Sequence, residues 1–320
     1  MKILVTGAAG FIGFNFCKYI LSIQKSAKIC GIDNINDYYD ITLKKKRLKI
    51  LKKYKNFKFY KIDIKEKNKI YKLFKINKFD FVLNLAAQAG VRYSIDHPRK
   101  YIETNIMGFY NIIENSRKYK IKRLFYASSS SVYGENVNFP LQETEKINPK
   151  NIYGLSKKIN EEISQIFYNY YELKSTGLRF FTVFGEWGRP DMMMMKYMDS
   201  YFKKKKFQLN NFGKHVRDFT YIGDVVKILY LLIKNHKKLA QNDVLNICSN
   251  KPIQLNKIIK LMKKKNIEPI IKKAPLQRAD VIKTHGNNKK LIKITRYKNF
   301  EKFEIAINKT IDWYKNFILK

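Results

Sequence analysis

Lys2-Ile-Leu-Val-Thr6-Gly7-Ala-Ala-Gly10-Phe-Ile-Gly13 decides the fold of this chain. A buried-strand pattern runs straight into a glycine turn, and an amphipathic helix is expected from there to about Gln24. Strand, glycine turn and helix form the context in which backbone N–H groups at a helix amino terminus receive a pyrophosphate. The spacing is Gly-x-x-Gly-x-x-Gly, a variant of the usual dinucleotide fingerprint. A tight βα turn without a ligand asks for the same glycines, so the next strand matters. Lys28-Ile-Cys-Gly-Ile32 ends in Asp33, twenty residues beyond Gly13. A carboxylate there accepts hydrogen bonds from the ribose hydroxyls of an adenosine and repels a 2′-phosphate, which selects NAD over NADP.

Working outward, apolar runs at Phe57–Tyr60, Phe79–Leu83, Arg123–Ala127, Lys174–Arg179 and Asn242–Ile247 read as further strands. Helical patterns lie between them, including Glu66–Ile76 and a long one opened by Asp96-His-Pro98 and running through about Lys118. Alternation of this kind predicts an α/β fold: a doubly wound parallel Rossmann sheet with a smaller C-terminal substrate-binding domain. The dinucleotide domain is expected over 1–178 with roughly 219–248, and the substrate domain over 179–218 and 249–320. At 320 residues and 45% apolar content the chain can bury a core of that size.

The formal net charge of +39 invites a nucleic-acid or acidic-membrane reading. Only ten of the 65 basic residues are arginine, however, and the lysines are spread along the chain among isoleucines and asparagines. No basic stripe interleaved with aromatics emerges, so neither nucleic acid nor membrane is expected as a partner. Lys44-Lys45-Lys46-Arg47, Lys203–Lys206 and Lys263–Lys265 read as solvated helix faces and turns. The three cysteines and four histidines have no metal-ligand spacing and no disulfide framework, so no metal is expected. Met192–Met195 reads as flexible apolar packing. A strand begins within two residues of the amino terminus and no apolar run reaches membrane-spanning length, which predicts a cytoplasmic, reduced protein.

The chemistry is expected at Tyr153-Gly-Leu-Ser-Lys157, which sets a phenol and an ammonium side by side on one helix face. Free tyrosine is a poor base at neutral pH, and a cation held close favours the phenolate. Upstream, the strand Arg123–Ala127 delivers Ser128-Ser129-Ser130-Ser131 to its carboxyl end, where open α/β sheets bind ligands. Hydroxyl, phenolate and ammonium together make a relay for moving a proton on and off an alcohol. In a chain with 22 tyrosines such a pair also arises by chance, so it gains weight only from the glycine turn and Asp33. The scarce arginines add to this, because Arg92, Arg179, Arg189, Arg217 and Arg278 all fall in motif stretches. A planar fork that binds phosphate or carboxylate bidentately is not replaced by lysine without loss.

Asp33-Asn-Ile-Asn-Asp-Tyr-Tyr-Asp40 with Leu43 and Arg47-Leu48, and Ala87-Gln-Ala-Gly-Val-Arg-Tyr-Ser94, are similar to stretches of one family. The chain resembles the extended short-chain dehydrogenase/reductases that act on nucleotide sugars, the NAD-dependent epimerase/dehydratase family. Within them it looks most like the UDP-glucuronate 4-epimerases, closely over residues 1–235 and more loosely beyond. The resemblance implies that NAD is held by Gly7, Gly10, Phe11, Ile12, Gly13, Asp33, Asn34, Asp63, Ile64, Leu85, Ala86, Ala87, Asn105, Tyr153, Lys157 and Phe180. It implies a UDP-sugar against Arg92, Ser129, Ser130, Thr182, Arg189, Arg217 and Arg278, with Arg217 on the pyrophosphate and Arg189 near the sugar carboxylate. It also implies a homodimer through helices near 98–118 and 152–172. Three positions depart from the family: Asn84 stands where histidine is expected, Glu186 where proline is, and Gly223 where aspartate is. Glu186 matters most, since a carboxylate beside the sugar would disfavour an anionic substrate.

By the same resemblance Tyr153 is the base and then the acid, Lys157 supports it and holds the nicotinamide ribose, and Ser129 bonds the C4 oxygen, with Ser130 and Ser131 close enough to share or assume that role. Related 4,6-dehydratases carry Asp-Glu before Val-Tyr-Gly, and related decarboxylases a glutamate at the second of those places. Here they are Ser130 and Ser131, so a 4-keto sugar can only be reduced again. The expectation is an isomerase interconverting UDP-glucuronate and UDP-galacturonate. A UDP-glucose or UDP-N-acetylhexosamine 4-epimerase, a UDP-glucuronate decarboxylase and a catalytically idle NAD(H)-binding regulator are the alternatives.

Overall fold

The computed structural model describes residues 1–319. In chain order the strands are β1 (Lys2–Thr6), β2 (Lys28–Asp33), β3 (Phe57–Lys61), β4 (Phe81–Asn84), β5 (Arg123–Ser129) and β6 (Ser175–Phe180). They continue as β7 (Thr182–Phe184), β8 (Phe207–Asn210), β9 (Val216–Tyr221), β10 (Asn242–Ile247), β11 (Pro252–Gln254) and β12 (Ile271–Ala274). Seven of them form one parallel sheet in the order β10-β6-β5-β4-β1-β2-β3. Ile3, Leu4 and Val5 are wholly buried, as a parallel strand covered on both faces requires. The helices Phe11–Ile23 and Ile222–Lys234 pack together on one face, and Lys67–Ile76, Gly108–Lys118 and Ile152–Tyr171 cover the other. The strand order reverses between β1 and β4, and a crevice opens at their carboxyl ends, where such sheets bind ligands.

Beyond β6 the chain builds smaller units: a three-stranded sheet β11-β9-β7 and the pair β12-β8. Strand β9, whose second half falls in the roughly 219–248 stretch expected in the dinucleotide domain, pairs in this second layer. The return to the large sheet is made by the helix Ile222–Lys234, which packs on Phe11–Ile23, and then by β10 alongside β6.

Two local expectations are corrected. The long helix toward Lys118 is not uniform: Tyr93–Asp96 and Pro98–Tyr101 are single turns, Ile102–Met107 is π-helical, and Gly108–Lys118 is regular. Pro98 opens its turn because its missing N–H costs nothing there. The run Lys44–Arg47 is not a solvated face either. Lys44 and Arg47, three residues apart on the helix Ile41–Leu51, are buried, and only Lys45 and Lys46 between them face water. Lys203–Lys206 and Lys263–Lys265 are exposed as expected, and Met194 and Met195 are buried apolar packing.

Candidate active site

The glycine turn closes with Gly10 N donating to Gly7 O at 2.9 Å. A Cβ on Gly13 would lie 2.2 Å from the Gly7 carbonyl oxygen, so only glycine lets the helix begin against the strand end. No side chain caps that helix at Gly10, leaving its first N–H groups for another acceptor. Phe11, Ile12 and Gly13 line a cavity together with Gly7 and Gly10. Asp33, Asn34, Asp63 and Ile64 line its far end, and Leu85, Ala86, Ala87, Phe180, Tyr153 and Lys157 its near end.

Asp33 is buried and held by its own turn, accepting from Ala9 N at 3.1 Å and Ile35 N at 2.8 Å. Burial pushes its carboxyl up, against which the neighbouring Lys44 ammonium works. Asn34 Nδ2 donates to Asp63 Oδ2 at 2.9 Å, so these two residues brace each other across β2 and β3. Asn105 is the exception among the expected cofactor residues. It lies behind the cavity wall, accepting from Gln88 N at 2.8 Å and donating to Gln88 O at 3.1 Å and Ser156 Oγ at 3.0 Å. The π-helical turn that carries it aims the amide at the Gln88 backbone, so it shapes the loop after β4 without lining the pocket. Thr104 lines the pocket in its place, and so do Tyr38, Asn36 and Lys44 from the segment after β2.

At the other end, Asn151 caps the helix Ile152–Tyr171 through Gly154 N at 2.9 Å. The Lys157 ammonium sits 5.9 Å from the centroid of the Tyr153 ring. It donates to the Ala127 carbonyl at 2.7 Å, and burial pulls its pKa down to about 8. Ser129, at the end of β5, has its hydroxyl accepting from Ser131 N at 3.1 Å. Beneath it Ser128 donates to Glu161 at 2.5 Å, and Glu161 receives both Nε and Nη2 of Arg179 at 2.9 and 2.8 Å. Arg179 is thereby committed to a buried structural pair.

Ser129, Ser130, Tyr153, Phe180, Thr182, Arg189 and Arg217 line a second cavity that abuts the first, and a wider cleft extends it past Arg92 and Asp280. Arg189 meets Asp191 edge to edge, Nε to Oδ1 at 2.9 Å and Nη2 to Oδ2 at 2.7 Å. Burial works against the charge on Arg189, and Asp191 more than offsets it. Arg217 is bonded to carbonyls alone, those of Val216, Val281 and Ile282 at 2.7–3.0 Å, and burial pulls it down to about 10. Arg92 pairs with Asp280 at 2.7 Å across the mouth of the cleft. Arg278 does not take part: it is exposed and lines none of these cavities. Asp280, two residues on, is the one that turns in. Of the stretch Gln277-Arg-Ala-Asp280 only Arg278 is expected from the sequence, and nothing local to the stretch marks Asp280.

A family model described as the NAD dependent epimerase/dehydratase family matches residues 3–248. Protein CapI of Staphylococcus aureus is 39% identical, with 100% of each chain covered. UDP-glucuronate 4-epimerase of Thermodesulfobacterium geofontis is 35% identical, over 98% of this chain and 95% of its own. Among solved structures, UDP-glucuronic acid 4-epimerase from Bacillus cereus, in complex with UDP-glucuronic acid and NAD, superposes with a TM-score of 0.91. It is 27% identical, with 99% of each chain covered.

The chain belongs to the NAD dependent epimerase/dehydratase family.

NAD is the cofactor of the epimerase/dehydratase family, and the site fits it on its own terms. The uncapped helix, the approach that excludes a Cβ at Gly13 and the buried Asp33 answer to a pyrophosphate and an adenosine ribose. Measured against the family pattern, the three departures are accommodated. Asn84 is buried and accepts from Thr6 Oγ1 at 2.6 Å, and that hydroxyl accepts from Ala86 N at 3.0 Å, so the loop after β4 is still tied to β1. Glu186 turns its carboxylate to the Tyr221 hydroxyl at 2.8 Å and lines none of the cavities, which removes the objection it raised to an anionic ligand. At Gly223 a Cβ would meet the Tyr221 ring at 2.4 Å. The buried acid beside it, Asp224, accepts from Tyr297 Oη at 2.6 Å and Glu301 N at 3.0 Å, anchoring the last segment.

Proposed function

We propose that this protein is an NAD-dependent epimerase interconverting UDP-glucuronate and UDP-galacturonate through a transient 4-keto sugar. The observation that carries it is the shared wall: Ser129, Tyr153 and Arg189 line both the dinucleotide cavity and the cavity beside it. One phenol there serves a sugar hydroxyl on one side and a cofactor on the other. Tyr153 takes the C4 hydroxyl proton and later returns it, while Ser129, with Ser130 in the same turn, holds the C4 oxygen. Lys157 spends one N–H on the Ala127 carbonyl and keeps two, for the phenolate and for the nicotinamide ribose. Gly7 to Gly13, Asp33, Asn34, Asp63, Ile64 and Leu85 to Ala87 hold the dinucleotide, which when bound supplies a reversible hydride acceptor. Arg217, a partly buried cation bonded only to carbonyls, suits the UDP diphosphate, with Arg92 beside it. Arg189 and Thr182 hold the sugar carboxylate. With serines at 130 and 131, no acid drives dehydration or loss of CO₂.

In this division of labour, residues 1–178 and roughly 219–248 serve the cofactor, and 179–218 with 249–320 cover the sugar. A cytoplasmic location belongs to the same proposal, checked by fractionating cells; no helix among the described residues is long and apolar enough to cross a membrane.

The test is to incubate purified protein with UDP-glucuronate, without added cofactor, and to separate the products. We expect UDP-galacturonate, only a trace of UDP-pentose, and NAD without NADP in the denatured extract. Abundant UDP-pentose would move the assignment to a decarboxylase, and action on UDP-glucose alone to a neutral-sugar epimerase.

A homodimer is the second part of the proposal. Large apolar side chains stand exposed on two neighbouring helical segments: Ile102, Met107 and Tyr110 on one, Leu155, Ile166 and Tyr170 on the other. Sedimentation at micromolar concentration is expected to give twice the chain mass, and Ile166→Glu to shift it toward one; a monomeric wild type would remove the dimer.

A further inference from the structure

The segment that follows β2, from Asn34 to Leu51, reaches the dinucleotide cavity and the wider cleft beyond it. Tyr38 lines each of these two, and its hydroxyl donates to Asp191 Oδ2 at 3.1 Å. It reaches that far because residue 90 is glycine: Gly90 has φ +101°, and a Cβ there would stand 2.2 Å from the Tyr38 oxygen. The Tyr93 ring packs edge-on against it, with centroids 5.0 Å apart. Asp191 accepts that hydroxyl while its two oxygens take Nε and Nη2 of Arg189. From the same segment the buried Arg47 donates to the carbonyls of Ala9 at 2.8 Å and Trp187 at 2.5 Å. The backbone two residues before Arg189 is therefore tied to the glycine turn.

A guanidinium has five N–H donors in a rigid fork. Asp191 occupies the side edge, made of Nε and one N–H of Nη2. The end edge, Nη1 with the remaining N–H of Nη2, is left as two parallel donors, the arrangement a carboxylate accepts. We propose that Tyr38 and Asp191 are positioning residues that fix which edge of Arg189 is offered, and so set the preference for a carboxylated over a neutral sugar. The proposal rests on the epimerase reading above and deepens it. Discrimination for the sugar at C5 is then built by a segment whose other duty is to the adenosine end of the cofactor.

The experiment uses the NAD-loaded enzyme and compares kcat/KM on UDP-glucuronate with calorimetric affinity for UDP-glucose. The set is wild type, Tyr38→Phe, Arg189→Ala and the double variant. Tyr38→Phe is expected to lower kcat/KM on UDP-glucuronate about tenfold. Most of that should fall in KM, because the carboxylate is held alike in ground and transition states. Affinity for UDP-glucose should change by less than about twofold, and in the Arg189→Ala background the same change should add nothing. Equal losses on both sugars, or losses that multiply in the double variant, would overturn the inference while leaving the epimerase intact. If Tyr38→Phe fails to fold, Asp191→Asn is read by the same two measurements, with the same selective loss expected. A wild type inactive on UDP-glucuronate would overturn the functional proposal and this inference with it.

Discussion

Turnover in Tyr153→Phe is expected to fall at least ~10²-fold, the usual scale for losing a positioned acid–base group. The substitution removes one oxygen and keeps the ring, so the edge contact with Tyr101, centroids 6.2 Å apart, survives. Nothing else nearby replaces the phenol. The Lys157 ammonium is bonded to a carbonyl, and the Ser129 hydroxyl belongs to its own turn. A serine without a base beside it takes no proton from a sugar alcohol. Extracted cofactor and melting temperature should match the wild type, since the glycine turn and Asp33 lie at the other end of the cavity. Initial rates on UDP-glucuronate decide it: turnover within a few-fold of wild type would mean that Tyr153 is not the acid–base group.

The second large effect concerns stability and falls on Glu161. Its carboxylate holds both Nε and Nη2 of Arg179 and the Ser128 hydroxyl, with side chains only 9% and 4% exposed for the acid and the arginine. Glu161→Ala strands a guanidinium in the interior, where breaking such a pair costs on the order of 3–5 kcal/mol. For a chain of 320 residues that lowers Tm by about 4–8 °C. Replacing both partners by Leu and Met should recover part of the loss, because two desolvated charges leave together. It will not recover all of it, since Ser128 and Tyr133 also lose a partner. Thermal unfolding of the single and double variants is the measurement. A single variant within ~1 kcal/mol of wild type would show that Arg179 finds another acceptor, with the Glu143 carbonyl at 3.0 Å already in reach.

The large features were legible because they are local or periodic. The glycine turn, Asp33 at its distance, the tyrosine–lysine pair and the serines at a strand end each declare themselves within a few residues. The misses are tertiary. Asn105 reads as a cofactor residue because it sits in the right helix, and only the π-helical turn directs it to the Gln88 backbone. Arg278 and Asp280 are two residues apart, and which one turns inward depends on the Arg92 partner nearly two hundred residues upstream. The placement of β9 in a separate sheet follows from pairing with β7 and β11, which no window of sequence contains. Glu186 reads as an obstacle until its partner Tyr221 is seen.

The helix Ile41–Leu51 bears on how the protein can be altered. Its run of four cations looks like one patch, yet Lys45 and Lys46 face water while Lys44 and Arg47 are interior parts. Lys44 fastens the loop at Asn36, and Arg47 joins the glycine turn to Trp187. Editing surface charge to change solubility or ion-exchange behaviour therefore has two free positions here and two that are closed. The closed pair travels with the glycine turn and the Trp187 loop, so a chimera with a relative must exchange all three segments together or none.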